Sequence, residues 1–122
     1  MISNSDAVTS IFGYWPDFAD ARLMSFDYSA KGVVTLELSY IDASAGKSAV
    51  VALLFTGVRD IQLGELASDN VLDRLDVADS TPLLVTLEPC IGLGGSFTCT
   101  AATVTGVVPN NSFKPNPLRG SA

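Results

Sequence analysis

The sequence predicts a mainly β fold with six or seven mostly antiparallel strands and one short N-terminal helix. Three observations predict it. From Arg22 onward, apolar side chains recur at every second position, the period of a strand with one buried face. Turn-forming stretches such as SAKG, DASAGK and PCIGLGG separate these segments at short spacing. No helical segments alternate with the strands, as a parallel sheet would require. A curled sheet, a sandwich and an open barrel all satisfy this pattern.

The spacing of Val8, Ile11, Phe12 and Trp15 predicts a helix over 5–12. Ser3, Asn4 or Ser5 supplies a cap, and Asp6 suits the positive end. Gly13 fits the left-handed position after the last turn, and Pro16 blocks continuation. In RLMSFDY, Met24, Phe26 and Tyr28 alternate with Ser25 and Asp27. In VVTLELSYI, Val34, Leu36, Leu38 and Tyr40 share one face, with Thr35, Glu37 and Ser39 on the other. SAVVALLFT is apolar on both faces and reads as a central, doubly covered strand. GVRDIQL extends the pattern with Ile61 and Leu63 facing in. ELASDNVLDRLDVADS fits either a short helix, through Leu66, Val71, Leu72 and Leu75, or an irregular strand, and the helical turn is slightly favoured. LLVTLE alternates again, and SFTCTAATVTGVV, rich in threonine and valine, reads as the last strand. Residues 1–108 therefore form a single mainly β domain, and PNNSFKPNPLRGSA, residues 109–122, a polar, proline-rich tail.

Composition narrows the function. At 122 residues, 48% of them apolar, the chain holds one core without staples. Its longest apolar run, AVVALLF, is far short of the roughly 20 residues of a membrane span. MISNSDAVTS has no basic stretch followed by an apolar one, so no secretory signal is read and a cytoplasmic location is expected. The net charge is −6, and with Lys114 and Arg119 of the tail set aside, 13 acidic residues face 5 basic ones. Such a body repels nucleic acid and anionic membranes but is compatible with a basic protein partner. The absence of histidine removes Ser–His and Cys–His catalysis and the commonest transition-metal ligand. Cys90 and Cys99 are too few for a zinc cage. A turn centred near Gly94 and Gly95 would set them roughly opposite each other, but reduced thiols are the favoured state.

Three stretches concentrate chemistry. IFGYWPDFADARL gathers Phe12, Tyr14, Trp15 and Phe18 beside Asp17 and Asp20. Aromatics with carboxylates, including Asp27 nearby, suit a sugar-binding or glycosidase site, or oxygen ligands for calcium. The competing reading is a buried clamp with solvated aspartates. The glycines of CIGLGGSFTC resemble a phosphate loop, but no Lys-Ser or Lys-Thr and no helix follows, so a hairpin turn is the better reading. The densest negative run is Glu65, Asp69, Asp73, Asp76 and Asp79, offset only by Arg74. On a helix, Asp69, Asp73 and Asp76 would share one face and form a docking surface for a basic protein.

These residues also carry a resemblance. FGYWPDFADARLMSF resembles the opening of the immunity protein 50 family of bacterial polymorphic toxin systems. LLFTGVRDIQL, NVLDRLDV and VTLEPCIGLGGSFTCTAATVTGVVP resemble later segments of that family in order. The resemblance spans most of residues 11–109. It implies a small β protein, without cofactor or catalysis, that binds and neutralises a cognate toxin. Trp15, Pro16, Phe18 and Asp20 fall on the family's opening motif, and Gly94, Gly95, Ser96 and Phe97 on its closing one. Ala19 stands where the family pattern has histidine, and Arg22 where it has an acid. The resemblance thus implies that the motifs are structural and that contacts fall on the acidic segment 65–79. The alternative function is a small ligand- or carbohydrate-binding β domain using Trp15, Tyr14 and the adjacent aspartates. No oligomeric state is assigned.

Overall fold

The computed structural model describes residues 2–109; of the predicted tail 109–122, Pro109 closes the last strand and residues 110–122 lie outside the described residues. The chain runs β1 (Ile2–Ser3), α1 (Asp6–Phe12), β2 (Arg22–Ser29), β3 (Val33–Asp42), β4 (Lys47–Thr56), β5 (Arg59–Gly64), β6 (Val71–Ala78), β7 (Leu83–Ile91), β8 (Gly94–Cys99) and β9 (Ala101–Pro109). The strands form one curled sheet in the order β1-β9-β4-β3-β2-β6-β7-β8-β5. Every pairing is antiparallel except the short β1–β9 contact. The fold class is therefore the predicted one, and the curled sheet is the architecture adopted.

The strand count is nine rather than six or seven. One added strand is β1, only two residues long. Another arises because SFTCTAATVTGVV breaks at Thr100, between β8 and β9. There the backbone N–H and the hydroxyl of Thr100 both donate to the Thr56 carbonyl, at 2.9 and 3.1 Å. This corner carries the chain from one limb of the curl to the other.

Helix α1 matches its predicted span to within a residue. Val8 and Phe12 are buried, and Gly13 ends the helix at φ 84 with its N–H on the Thr9 carbonyl at 2.7 Å. The expected cap is absent. Ser5 holds the N-cap position without a side-chain bond, and the Asn4 amide donates instead to the Val104 carbonyl at 3.0 Å. Asn4 thus ties the helix entry to β9.

Two strand readings are corrected. In β4, the row Ala49, Val51, Leu53 and Phe55 is buried, but Val50, Ala52 and Leu54 are only part-buried. The strand is central, between β3 and β9, yet only one face is sealed in the core. Residues 71–78 form strand β6, not a helical turn. The pairing of β6 with β7 shifts register between Leu72 and Arg74. A bulge there lets Leu72 and Leu75 both face inward. Their three-residue spacing imitates a helix.

The curl has two limbs, β1-β9-β4-β3-β2 and β6-β7-β8-β5, joined at the single residue pair Arg22–Val71. Their inner faces close on one core, where Phe55 of β4 and Phe97 of β8 meet edge to face at 5.2 Å. Past Arg22 the limbs diverge. Residues 25–29 of β2 pair only with β3, and β5 pairs only with β8. Two unpaired strand edges thus flank an opening on one side of the core.

The β7–β8 turn falls at Gly92 and Leu93 rather than at Gly94 and Gly95. Cys99 lies opposite Leu83, not Cys90. Both cysteines are free, Cys90 exposed and Cys99 buried, and burial pushes the Cys99 thiol pKa up.

Candidate functional site

The opening motif is built into the fold. Phe18 is fully buried at a left-handed φ of 61. Its ring meets Trp15 at 5.6 Å and Tyr40 at 5.4 Å, both edge to face. Pro16 is buried and Asp20 exposed. The Asp17 side chain accepts the Ala19 N–H at 3.0 Å, closing a tight turn. The segment then runs beside β6. The Asp17 carbonyl accepts from Leu75 at 2.9 Å, Asp20 donates to Leu72 at 2.8 Å, and Leu72 donates to Ala21 at 2.8 Å. These bonds give residues 17–21 the backbone partners a strand would have. The motif seals the junction between the limbs.

Trp15 is only part-buried. It lines a shallow cleft of about 220 Å³ with Pro16, Asp17, Arg74 and Asp76. Tyr14, the other aromatic of the carbohydrate reading, does not line this cleft. Its hydroxyl donates to Asp42 Oδ2 at 2.6 Å and lies 3.1 Å from the Tyr40 hydroxyl. Those two bonds hold the Tyr14 pKa well above the ordinary phenol value. The same Tyr14 bond, followed by the Ala45 amide, holds Asp42 below the usual carboxylate range. Asp27 lies on β2 opposite Thr35, away from the motif turn. Among the described residues no three acidic or cysteine side chains group as a metal site would need.

The closing motif is also structural. Phe97 fills the core, and Gly94, Gly95 and Ser96 hold β8 between β7 and β5. At Gly95, φ is 132 and an added Cβ would collide with the Gln62 backbone carbonyl. Only glycine lets β5 come this close.

The acidic run does not form one face. Asp69 pairs with Arg22, the only ion pair among the described residues. Asp73 is exposed at the β6 bulge, and Asp76 is part-buried at the Trp15 cleft. Asp79 lines a different concavity beside Ser80, Pro82 and Thr100. Glu65 stands at the opening between the limbs. One strand and its flanks thus deliver the five predicted carboxylates to separate places.

That opening is the site the sequence reading missed. It is a groove of about 440 Å³ lined by Phe26, Tyr28, Ile61, Leu63, Leu66 and Leu93, with Glu65 and Gly64 beside them. Tyr28 is 50% exposed, Ile61 39% and Leu66 66%. Phe26 and Tyr28 lie opposite Leu36 and Val34, so they belong to the inner face but stand where nothing closes over it. The loop 65–70 that forms one wall is held by buried Asn70. Its side chain accepts the Ala67 and Leu93 N–H groups at 3.0 and 2.9 Å and donates to the Ala67 carbonyl at 2.8 Å. The wall is therefore set before any partner arrives. The sequence signal was the inward row Phe26, Tyr28, Ile61 and Leu63, but alternation cannot distinguish a closed inner face from an open one.

Comparison of the chain with protein families, with curated proteins and with solved structures finds no match.

Proposed function

We propose that this chain is a partner-binding protein of the immunity type, which neutralises a basic toxin domain by occupying it stoichiometrically. The observation that carries the reading is the exposed apolar groove flanked by two unpaired strand edges. An apolar concavity of this kind, rimmed by polar residues, marks a protein-binding surface. Unpaired edges left bare would invite indiscriminate pairing, so a partner that covers them gives the arrangement a use. The charge of −6 supports a basic partner, because opposite fields raise the association rate. The resemblance to the immunity protein 50 family supplies the toxin as the partner class. The test is co-expression with the toxin domain encoded beside this gene. Growth should be rescued, and the two proteins should co-elute at equal stoichiometry. No rescue and no complex would remove the assignment.

The Trp15 cleft favours a second reading. Trp15, Asp17, Arg74 and Asp76 offer one aromatic face and both charge signs, a set that suits a small polar ligand such as a sugar. On this reading, Trp15 fluorescence shifts on titration with oligosaccharides. On the first reading, it stays fixed with sugars.

A further inference from the structure

We propose that the opening between β2 and β5 receives an extended, basic strand from the partner, which pairs with the free edge of β5 and sets its apolar side chains into the groove. This rests on the partner-binding reading and adds the mode of recognition. The first ground is the backbone. The sheet order ends at β5, so the outward N–H and C=O groups of Gln62–Gly64, past the bulge at Asp60 (φ 53), have no strand beyond them. Only another extended backbone satisfies such a row repetitively. The second ground is space. At Gly64 an added Cβ would meet nothing within 4 Å, and Gly64 pairs with Gly94. The end of the edge is bare backbone that a neighbouring chain can approach closely.

The third ground is the chemistry of the walls. Phe26 and Tyr28 face β5 across the groove, and Leu63 and Leu93 floor it. A strand presents alternate side chains to one side, so every second residue of the incoming segment is apolar. Charge fixes the rest. Glu65 and Asp60 have no cationic partner among the described residues, where the sole ion pair is Arg22–Asp69. Arg59 begins β5, and Lys31 lies near it because Val58 donates to the Gly32 carbonyl at 2.9 Å. The edge therefore carries both signs at its Arg59 end, where Asp60 stands beside Arg59, and a negative charge alone at Glu65. The guest strand carries its basic side chains toward Glu65, and the net charge of −6 draws a basic guest to the edge.

The experiment has two arms. In the first, isotope-labelled protein is titrated with a capped peptide of alternating valine and lysine, about seven residues long to span β5 at roughly 3.4 Å per residue. A valine–glutamate peptide and a valine–lysine peptide N-methylated at alternate amides are the comparisons. The valine–lysine peptide should shift the amide signals of residues 25–29 and 59–66 and slow hydrogen exchange along β5. The glutamate peptide should bind more weakly, and N-methylation should abolish the effect. Shifts confined elsewhere, or equal binding by the N-methylated peptide, would overturn the proposal. So would the same protection arising from the protein's own concentration, which would assign the edge to a second copy. In the second arm, hydrogen exchange is measured with the neighbouring toxin domain. Protection at β5 supports the proposal. A toxin that binds while β5 stays unprotected overturns the strand-pairing mode and leaves the partner reading standing. A toxin that does not bind overturns the partner reading, and the peptide arm still decides the edge.

Discussion

Phe18, rather than Trp15, anchors the N-terminal motif. The helical spacing of Val8, Ile11, Phe12 and Trp15 makes tryptophan look like the buried plug, yet Gly13 ends the helix before Trp15, which lies half out at a cleft. Phe18 is fully buried because its left-handed backbone turns the ring back against Trp15 and Tyr40. Such a conformation is rare for a bulky residue and is not visible in a periodicity. Phe18→Ala should destabilise by about 3–5 kcal/mol in urea unfolding, and Trp15→Ala by less. The Tyr14–Asp42 bond makes a pH prediction. Asp42 is depressed, so its contribution is present above the ordinary carboxylate range and lost as pH falls through the lower folded value. Tyr14 is raised, so its contribution is present below its ordinary value of 10.0 and lost as pH rises toward the higher folded one. Tyr14 is exposed and Asp42 only part-buried, so solvent screens the pair and the effect is small. Tyr14→Phe should lower the melting temperature slightly at neutral pH, and the difference from the parent should shrink in strong acid. A difference that grew in acid would contradict the assigned bond.

At the scale of elements, the strands with clean alternation were legible and those with bulges were not. VVTLELSYI gives β3 because each inward residue lies two positions from the next, and the pairing with β4 runs without a slip. RLMSFDY gives β2 its place but not its facing at the start. Leu23 is the buried residue, and a register shift between Leu23 and Ser25 leaves Met24 55% exposed. The bulge in β6 has the same effect on the acidic run, whose five carboxylates scatter instead of forming one helical face. The resemblance implied a structural role for the opening and closing motifs, while their residue types left a ligand site open for the first. Their mode of action, the seating of 17–21 along β6 and of β8 against β5, depends on pairing across the chain. Gly95→Ala tests the second of these. The added methyl strikes the Gln62 carbonyl, so β5 should be forced off β8 at a cost of about 1–3 kcal/mol. The loss should appear as faster exchange at residues 59–64 with little change in β3 and β4. Uniform loosening, or none, would contradict this close approach.

For the whole molecule, the decisive feature is incomplete closure. Two limbs share one core, but β2 and β6 pair at one residue only, beside the seating of 17–21 along β6, and the divergence past Arg22 leaves apolar side chains and two strand edges in the open. Single-strand patterns set which residues face inward. They do not carry the sheet's path in space, so the groove was illegible although Phe26, Tyr28, Ile61 and Leu63 were placed on one inner row; Leu66, read into a possible helix, and Leu93, read into a turn, were not. The groove, rather than the acidic run as a whole, is the proposed contact surface. Ile61 is 39% exposed and Leu66 66%, so replacing either leaves the core intact. The most direct measurement is calorimetric titration of the neighbouring toxin domain into the parent protein, Ile61→Lys, Leu66→Lys and, as a comparison away from the groove, Asp79→Lys. One-to-one binding to the parent is expected. Each groove variant should be weakened by roughly 2 kcal/mol, about thirtyfold, with no loss of melting temperature, and Asp79→Lys by much less. Unchanged affinity in both groove variants, with Asp79→Lys weakened instead, would contradict it.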